Sequence, residues 1–354
     1  MDNKSVRLAA LGTAVPPCKI TQDEAARLAR FHYKELLTPR SMDLLTQVMM
    51  HPSIRSRHFA VDGKENITAL KTEDPDARME RFTRFAVTLA ESAARKALKT
   101  SGVSPGEVTS VFVNTCTGYI CPGISTYLVE KMGLKPNVFA HDLVGSGCGG
   151  ALPNLQLGQS HVCLRPGNVA LCVAVEICTA TFQMDNDPSL LISNAIFGDG
   201  AAAALLWDRP SGMRLTGSAS LFDPEHRDDV RYVYKKGQLH NRLASQLPKI
   251  IVKKVPDFIQ SFLGDHGLTP RDIRGWALHP GGDKMVIGLQ EALGLSDALM
   301  RPTREVLSEY GNMSSPTVLF IAERALQENP EGPGPMLLCA YGAGLSMHAM
   351  LLEK

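Results

Sequence analysis

The chain has 354 residues, of which 44% are hydrophobic and 21% charged, with a formal net charge of +1. It can bury a large core, as one α/β unit or two fused domains. Lys and Arg are spread through the sequence instead of massed in one segment, so nothing in the charge pattern points to nucleic acid or a membrane surface, and an anionic ligand would have to meet a local basic patch.

The opening Met1-Asp2-Asn3-Lys4-Ser5-Val6 lacks a signal-peptide core and no apolar run approaches membrane-spanning length, so a cytoplasmic location is expected. Val6 to Leu11 reads as a strand entering the turn Gly12-Thr13-Ala14-Val15-Pro16-Pro17. Residues 21–75 are helical in tendency, with a polar interruption at Asp62-Gly63-Lys64-Glu65. From Arg84 to Lys99, Phe85, Leu89, Ala93 and Ala97 recur at helical spacing, and the strand Ser110-Val111-Phe112-Val113-Asn114 follows a turn. Later come a helix running to about His161 and the strand Val169 to Val175.

Cys148 sits in Gly145-Ser146-Gly147-Cys148-Gly149-Gly150-Ala151, where a strand hands over to a helix. Neighbouring glycines let a substrate approach the sulfur, and a helix N-terminus beside it favours a thiolate. The eight cysteines fall singly, never as CxxC, which fits neither a zinc framework nor a disulfide scaffold; no metal is expected. Most read as small buried apolar residues.

The sequence also repeats itself. Gly102-Val103-Ser104-Pro105-Gly106-Glu107-Val108 returns 165 positions later as Gly267-Leu268-Thr269-Pro270-Arg271-Asp272-Ile273, each between an amphipathic helix and a short apolar strand. Nearly the same offset carries Cys148 to Asn312, in another small-residue turn entering a helix near Pro316. Each turn precedes a buried strand, Val169 to Val175 or Met336 to Tyr341. Two copies of one β/α unit are therefore expected, residues 1–207 carrying the cysteine and 208–354 carrying a histidine and an asparagine. In the second copy the strand Trp276-Ala277-Leu278 ends at His279-Pro280-Gly281-Gly282. Packed about a pseudo-twofold, the halves would bring Cys148, His279 and Asn312 into one pocket. A cysteine nucleophile, a histidine able to pair with its thiolate and an amide donor for an oxyanion form a coherent set.

At these residues the sequence resembles the type III polyketide synthases, the chalcone synthase-like branch of the thiolase superfamily. The likeness rests on Gly12 to Pro17, on Phe197-Gly198-Asp199-Gly200-Ala201-Ala202-Ala203, on His279 to Gly282, and on the string Thr303 to Ser315. It implies a thiolase-like duplicated α/β fold, layered αβαβα, with two pseudo-symmetric halves. It also implies an acyltransferase working on coenzyme A thioesters with no bound cofactor, acting as a homodimer. Cys148 would hold an acyl starter as a thioester. His279 and Asn312 would bind the malonyl-CoA carbonyl, so that loss of CO2 leaves a stabilised enolate that extends the chain, with cyclisation to a pyrone, resorcinol or phloroglucinol. Phe197 would line the passage from the CoA tunnel to the cavity. Cys116, Thr117, Thr181, Ser193 and Ser314 would line the cavity itself, and Cys121 would reach toward the dimer partner. Arg55, Arg57 and Lys284 are the cations available for the CoA phosphates.

Ala340-Tyr341-Gly342-Ala343-Gly344-Leu345-Ser346 departs from the plant glycine–proline motif, and no second gatekeeper phenylalanine stands near Gly237 to Asn241. Taken singly, Cys148 could be a structural cysteine, His279 a core histidine, Asn312 a turn residue, Phe197 core packing and Lys284 a surface lysine. Two other activities use the same side-chain types. A ketoacyl synthase III takes malonyl groups from acyl carrier protein, and a papain-like hydrolase is usually secreted or lysosomal.

Overall fold

The computed structural model describes residues 5–328 and 334–354; Met1 to Lys4 of the opening segment lie outside the described residues. The chain runs β1 (Arg7–Ala14), β2 (Cys18–Thr21), α1 (Gln22–His32), α2 (Pro39–Met49), β3 (Ser56–Phe59), α3 (Pro75–Ser101), β4 (Ser110–Asn114), α4 (Ile124–Met132), β5 (Phe139–Leu143), α5 (Ala151–Leu164), β6 (Ala170–Glu176), α6 (Pro188–Ile196) and β7 (Gly200–Trp207). It continues through β8 (Met213–Phe222), β9 (Val230–Lys235), β10 (Gln238–Leu243), α7 (Leu247–Asp265), β11 (Gly275–Leu278), α8 (Asp283–Leu293), α9 (Asp297–Tyr310), α10 (Thr317–Glu328), β12 (Met336–Gly342) and β13 (Ser346–Glu353).

Local sequence explains most boundaries. Helix α3 starts where the Asp74 side chain accepts from Ala77 N, with Pro75 in its first turn, and stops at Gly102, whose φ of 73° is left-handed. The repeat of its motif, Gly267, follows α7 in the same conformation, φ 69°. The helical tendency over 21–75 resolves into α1, α2 and a 3-10 stretch, Lys64–Lys71, interrupted by β3, which pairs antiparallel with β2. Four residues are too few for alternation to announce a strand. At the N-terminus the strand does not turn at Gly12 but continues to Ala14. A Cβ on Gly12 would lie 2.5 Å from Ala93 O and Ala97 N, so this glycine serves the close approach of α3 to β1.

Among the described residues the main sheet has nine strands, in the order β11-β12-β13-β8-β1-β7-β6-β4-β5. Read outward from the β1–β8 junction, the two arms match. β1-β7-β6-β4 and β8-β13-β12-β11 each pair antiparallel, antiparallel, then parallel. The repeat in the sequence is thus a repeat of topology, and β5, parallel to β4 at the free edge, falls outside it.

Strand alternation sorts the core into layers. In β7, Ala202, Ala204 and Leu206 face a central cluster with Leu152 and Leu155 of α5 and Val318 and Ile321 of α10. Ala201, Ala203 and Leu205 face the outer cluster built on α3. In the second arm Leu338 and Ala340 share the central cluster, while Leu337, Cys339 and Tyr341 face α7, α8 and α9. The result is the expected αβαβα layering, with α5 and α10 back to back in the middle.

Candidate active site

Cys148 is the central residue of a single 3-10 turn, Gly147–Gly149, that leads into α5. Both sides of this turn are closed by the second half of the chain. A Cβ on Gly147, whose φ is 55°, would lie 3.0 Å from Ala343 N, and one on Gly342 would lie 2.4 Å from Ser146 O and 2.9 Å from Cys148 N. The glycines around the cysteine therefore let two backbones touch, as well as leaving the sulfur approachable. Burial pushes the Cys148 thiol up to about 12; the Ser314 hydroxyl that bonds to it pulls the other way, and Glu176 adds to the rise. Helix α5 begins only at Ala151, so its N-terminus stands a turn away from the sulfur, and burial is the largest influence on the thiol.

His279 continues the β11–β12 ladder, its N–H donating to Cys339 O at 2.9 Å. Its ring stands edge-on to Tyr341 with centroids 5.4 Å apart, and burial lowers its pKa to about 3, so it is neutral. The next residues bring in Asn312, whose Nδ2 donates to Gly281 O at 2.9 Å and whose Oδ1 accepts from Ser314 N at 2.8 Å. Ser314 holds φ 60°, a costly value for a residue with a side chain, and it is fixed there between Asn312 and the two cysteines, 116 and 148. The contacts thus link Cys148 to Ser314, Ser314 to Asn312, Asn312 to Gly281 beside His279, and His279 to Tyr341, the neighbour of Gly342.

Behind the thiol lies Glu176, fully buried at the end of β6, which sequence reasoning missed. It accepts from Cys116 N at 2.9 Å, Thr117 Oγ1 at 2.9 Å and Ser315 Oγ at 2.7 Å, with the Cys116 thiol at 3.3 Å. Burial raises its pKa against the pull of those donors. Its only sequence signal was a glutamate closing an apolar strand, a pattern that calls for internal partners.

The other cavity residues divide in two. Cys116 and Ser314 flank the Cys148 thiol, while the Thr117 hydroxyl is turned into the wall, donating to Glu176 and accepting from Ile177 N. Thr181, Ser193 and Phe197 line a separate small cavity with Cys178 and Asn241. Tyr232 of the β9–β10 hairpin, also missed, connects the groups: its hydroxyl is 3.5 Å from Thr181 Oγ1, and it lies near Cys116 and Cys178.

Of the three cations proposed for CoA, Arg55 and Lys284 are exposed, Arg55 with its Nε on Ser308 Oγ at 2.8 Å. Arg57 must be corrected. It is 1% exposed, with Nε donating to Gln22 Oε1 at 2.9 Å and Nη1 to the carbonyls of Asn194 and Phe197 at 2.7 Å each, so it cannot reach a phosphate in solvent. Cys121 is exposed, near Tyr119, which is 68% exposed. Among the described residues no group of three His, Cys, Asp or Glu is placed to hold a metal ion, and no helix is long and apolar enough to cross a membrane.

A duplicated αβαβα chain with a cysteine on the turn before one central helix and an asparagine before the other defines the thiolase-like condensing class. Residues 14–220 match the family of FAE1/type III polyketide synthase-like proteins, and residues 215–354 match the C-terminal domain of chalcone and stilbene synthases. The chain belongs to the type III polyketide synthase family and is an acyltransferase. A 3,5-dihydroxyphenylacetyl-CoA synthase of Streptomyces toyocaensis is 27% identical, covering 98% of this chain and 90% of the relative. An alpha-pyrone synthesis polyketide synthase of Mycobacterium tuberculosis is 27% identical, covering 97% and 90%. Among solved structures, PKS-I from the brown alga Ectocarpus siliculosus superposes with a TM-score of 0.92 at 26% identity over 100% of both chains. The 1,3,6,8-tetrahydroxynaphthalene synthase of Streptomyces coelicolor gives 0.91 at 25% identity, covering 98% and 99%.

Proposed function

We propose that this synthase loads an acyl group from acyl-CoA onto Cys148 and extends it with malonyl-CoA, using His279 and Asn312. The chain of contacts from Ser314 beside Cys148 through Asn312 to Gly281, two residues past His279, carries this reading. In loading, Sγ attacks the thioester carbonyl, the thiol proton passes by way of His279, and CoA leaves as its thiol. Burial disfavours a lone charge on either group, so a thiolate and an imidazolium formed together would each offset the other's cost. Malonyl-CoA then binds with its thioester carbonyl toward His279 and the Asn312 amide. Loss of CO2 leaves an enolate that those donors stabilise, and its carbon attacks the Cys148 thioester, releasing the cysteine sulfur and returning the extended chain to CoA. Repetition and closure to a pyrone, resorcinol or phloroglucinol complete the cycle. Cys116 and Ser314 bound the space at the thiol, Thr181, Ser193 and Phe197 bound the small cavity that Tyr232 joins to it, and Arg55 and Lys284 meet the CoA phosphates.

Residues 1–207 and 208–354 act as the nucleophile half and the enolate half. The active form is a cytoplasmic homodimer. The observation behind the dimer is the edge strand β5, with Phe139 46% exposed and Val144, just past its end, 63% exposed, since an uncovered strand edge carrying apolar side chains is a surface for pairing. Gly123, two residues past Cys121, packs against Asp142 of β5, and Cys121 should be shielded from thiol reagents in the dimer.

The deciding experiment is incubation with malonyl-CoA and a panel of short, long and aromatic acyl-CoAs, reading products by mass. Cys148→Ala should abolish the acyl adduct seen by intact mass; an unchanged adduct would remove Cys148 from its role. Turnover of malonyl-carrier protein without turnover of malonyl-CoA would refute the choice of extender.

A further inference from the structure

Helix α6 ends at Ile196, and its last carbonyls, like those of any helix, have no partner within the helix. Here each finds a buried one. Arg57 Nη1 donates to Asn194 O and to Phe197 O, both at 2.7 Å. Gln22 Nε2 donates to Ala195 O at 2.9 Å, and Gln22 Oε1 in turn receives Arg57 Nε at 2.9 Å. The remaining carbonyl, that of Ile196, is taken at 2.9 Å by the backbone N–H of Asn312, whose own carbonyl accepts from Gly198 N at 3.0 Å. The end of α6 and the backbone of Asn312 are thus one unit, joined as a short parallel bridge between Phe197 and Asn312.

The packing around that bridge admits no slack. A Cβ on Gly311 would meet Ile196 O at 2.6 Å and Arg57 Cγ at 2.8 Å, and one on Gly198 would meet Tyr310 O at 2.6 Å. Arg57 makes no carboxylate contact among the described residues; three neutral oxygens hold it, two of them at the negative end of a helix. A planar guanidinium can grip Gln22 with one nitrogen while another bridges two carbonyls. A lysine ammonium, a single point on a flexible stem, cannot hold all three in that plane.

We propose that Arg57 is a positioning residue for Asn312, setting through the end of helix α6 where the asparagine amide stands beside the substrate carbonyl. The proposal rests on the role given to Asn312 above. It predicts a selective loss. Arg57→Lys should slow the conversion of malonyl-CoA to acetyl-CoA and CO2 by about 10- to 100-fold, the effect of a catalytic group displaced by up to about 1 Å. Transfer of an acyl group from acyl-CoA to Cys148 should keep its parental rate.

The test is a double-mutant cycle on decarboxylation, with Arg57→Lys, Asn312→Ala and both together, and acyl loading by intact mass as the internal comparison. If Arg57 acts through Asn312, its penalty disappears in the Asn312→Ala background. Gln22→Ala, which removes two bonds from the same cap and spares the guanidinium, should show the same selectivity at smaller size and covers the case of Arg57→Lys failing to fold. The proposal is overturned if loading and decarboxylation fall together in both variants, or if the penalty persists in full without the asparagine. If Asn312→Ala alone leaves decarboxylation unchanged, the role of Asn312 fails first and the proposal with it. That outcome is distinct from an impaired Asn312→Ala with additive Arg57.

Discussion

Replacing Gly342 by alanine should cripple the acylation proposed for Cys148 without altering Cys148, His279 or Asn312 themselves. The backbone conformation is not the obstacle, since Gly342 is not among the glycines with left-handed φ. Space is. The added Cβ would stand 2.4 Å from Ser146 O and 2.6 Å from Gly149 N, where ordinary contact begins at 3.4 Å, so β12 and the cysteine turn must part by about 1.0 Å. Both are backbone and cannot swing aside as a side chain would. A displacement of about 1 Å at a reacting atom lowers rates about 100-fold, equivalent to about 2.7 kcal/mol of barrier. Overpacking at such a contact lowers stability by about 1–3 kcal/mol. Rapid-quench acylation of Cys148 read by intact mass measures the first quantity, and denaturant unfolding the second. A folded Gly342→Ala enzyme that acylates at the parental rate would show that contact between the two halves does not place the sulfur.

Gly281 and Gly282 should respond differently to alanine: the first holds φ 58° and has Met285 Sδ 2.4 Å from the new Cβ, the second has nothing within 4 Å. Thermal unfolding should show a marked loss for Gly281→Ala and almost none for Gly282→Ala, and equal shifts would refute the assignment. Glu176→Gln leaves one of the buried donors around it facing an NH2 group and should lower stability by about 1–3 kcal/mol in urea, with no change if the network tolerates rearrangement. His348, bonded through Nδ1 to Ser220 Oγ at 2.8 Å, is held by burial at a pKa of about 4, below its ordinary 6.5. Between those values the unfolded chain takes up a proton that the folded chain refuses, so His348 lowers stability by roughly 1.4 kcal/mol for each pH unit of acidification. His348→Asn should therefore gain on the parent as pH falls from 6.5 toward 4, and parallel unfolding curves would contradict this.

The repeat of topology was legible because duplication repeats a pattern, and the echo of Gly102 to Val108 at Gly267 to Ile273 marks two equivalent helix ends. The same offset leads from Cys148 to Asn312, which stands before α10 as Cys148 stands before α5. What the sequence hid are residues whose work is defined by distant partners. Glu176 closes a strand but serves Cys116, Thr117 and Ser315, which come from two other segments. Tyr232 stands on a hairpin whose register with the cavity depends on packing against α6. Arg57 read as a surface cation because charge is the first thing a sequence displays; its burial against Gln22 and the end of α6 joins positions 22, 57, 194 and 197. Hydropathy alone cannot tell an arginine in solvent from one at a buried helix terminus.

The same strand order sets a timetable for synthesis. The first strand, β1, lies between β7 and β8, so it waits in the growing chain for partners roughly 200 residues behind it, and such distant pairings close slowly. Gly342, which backs the cysteine turn, lies about 190 residues beyond Cys148 and leaves the ribosome long after it. A chain released before β12 would carry Cys148 as an unformed segment, and its turn would be assembled only when β12 and β13 fold onto the first half.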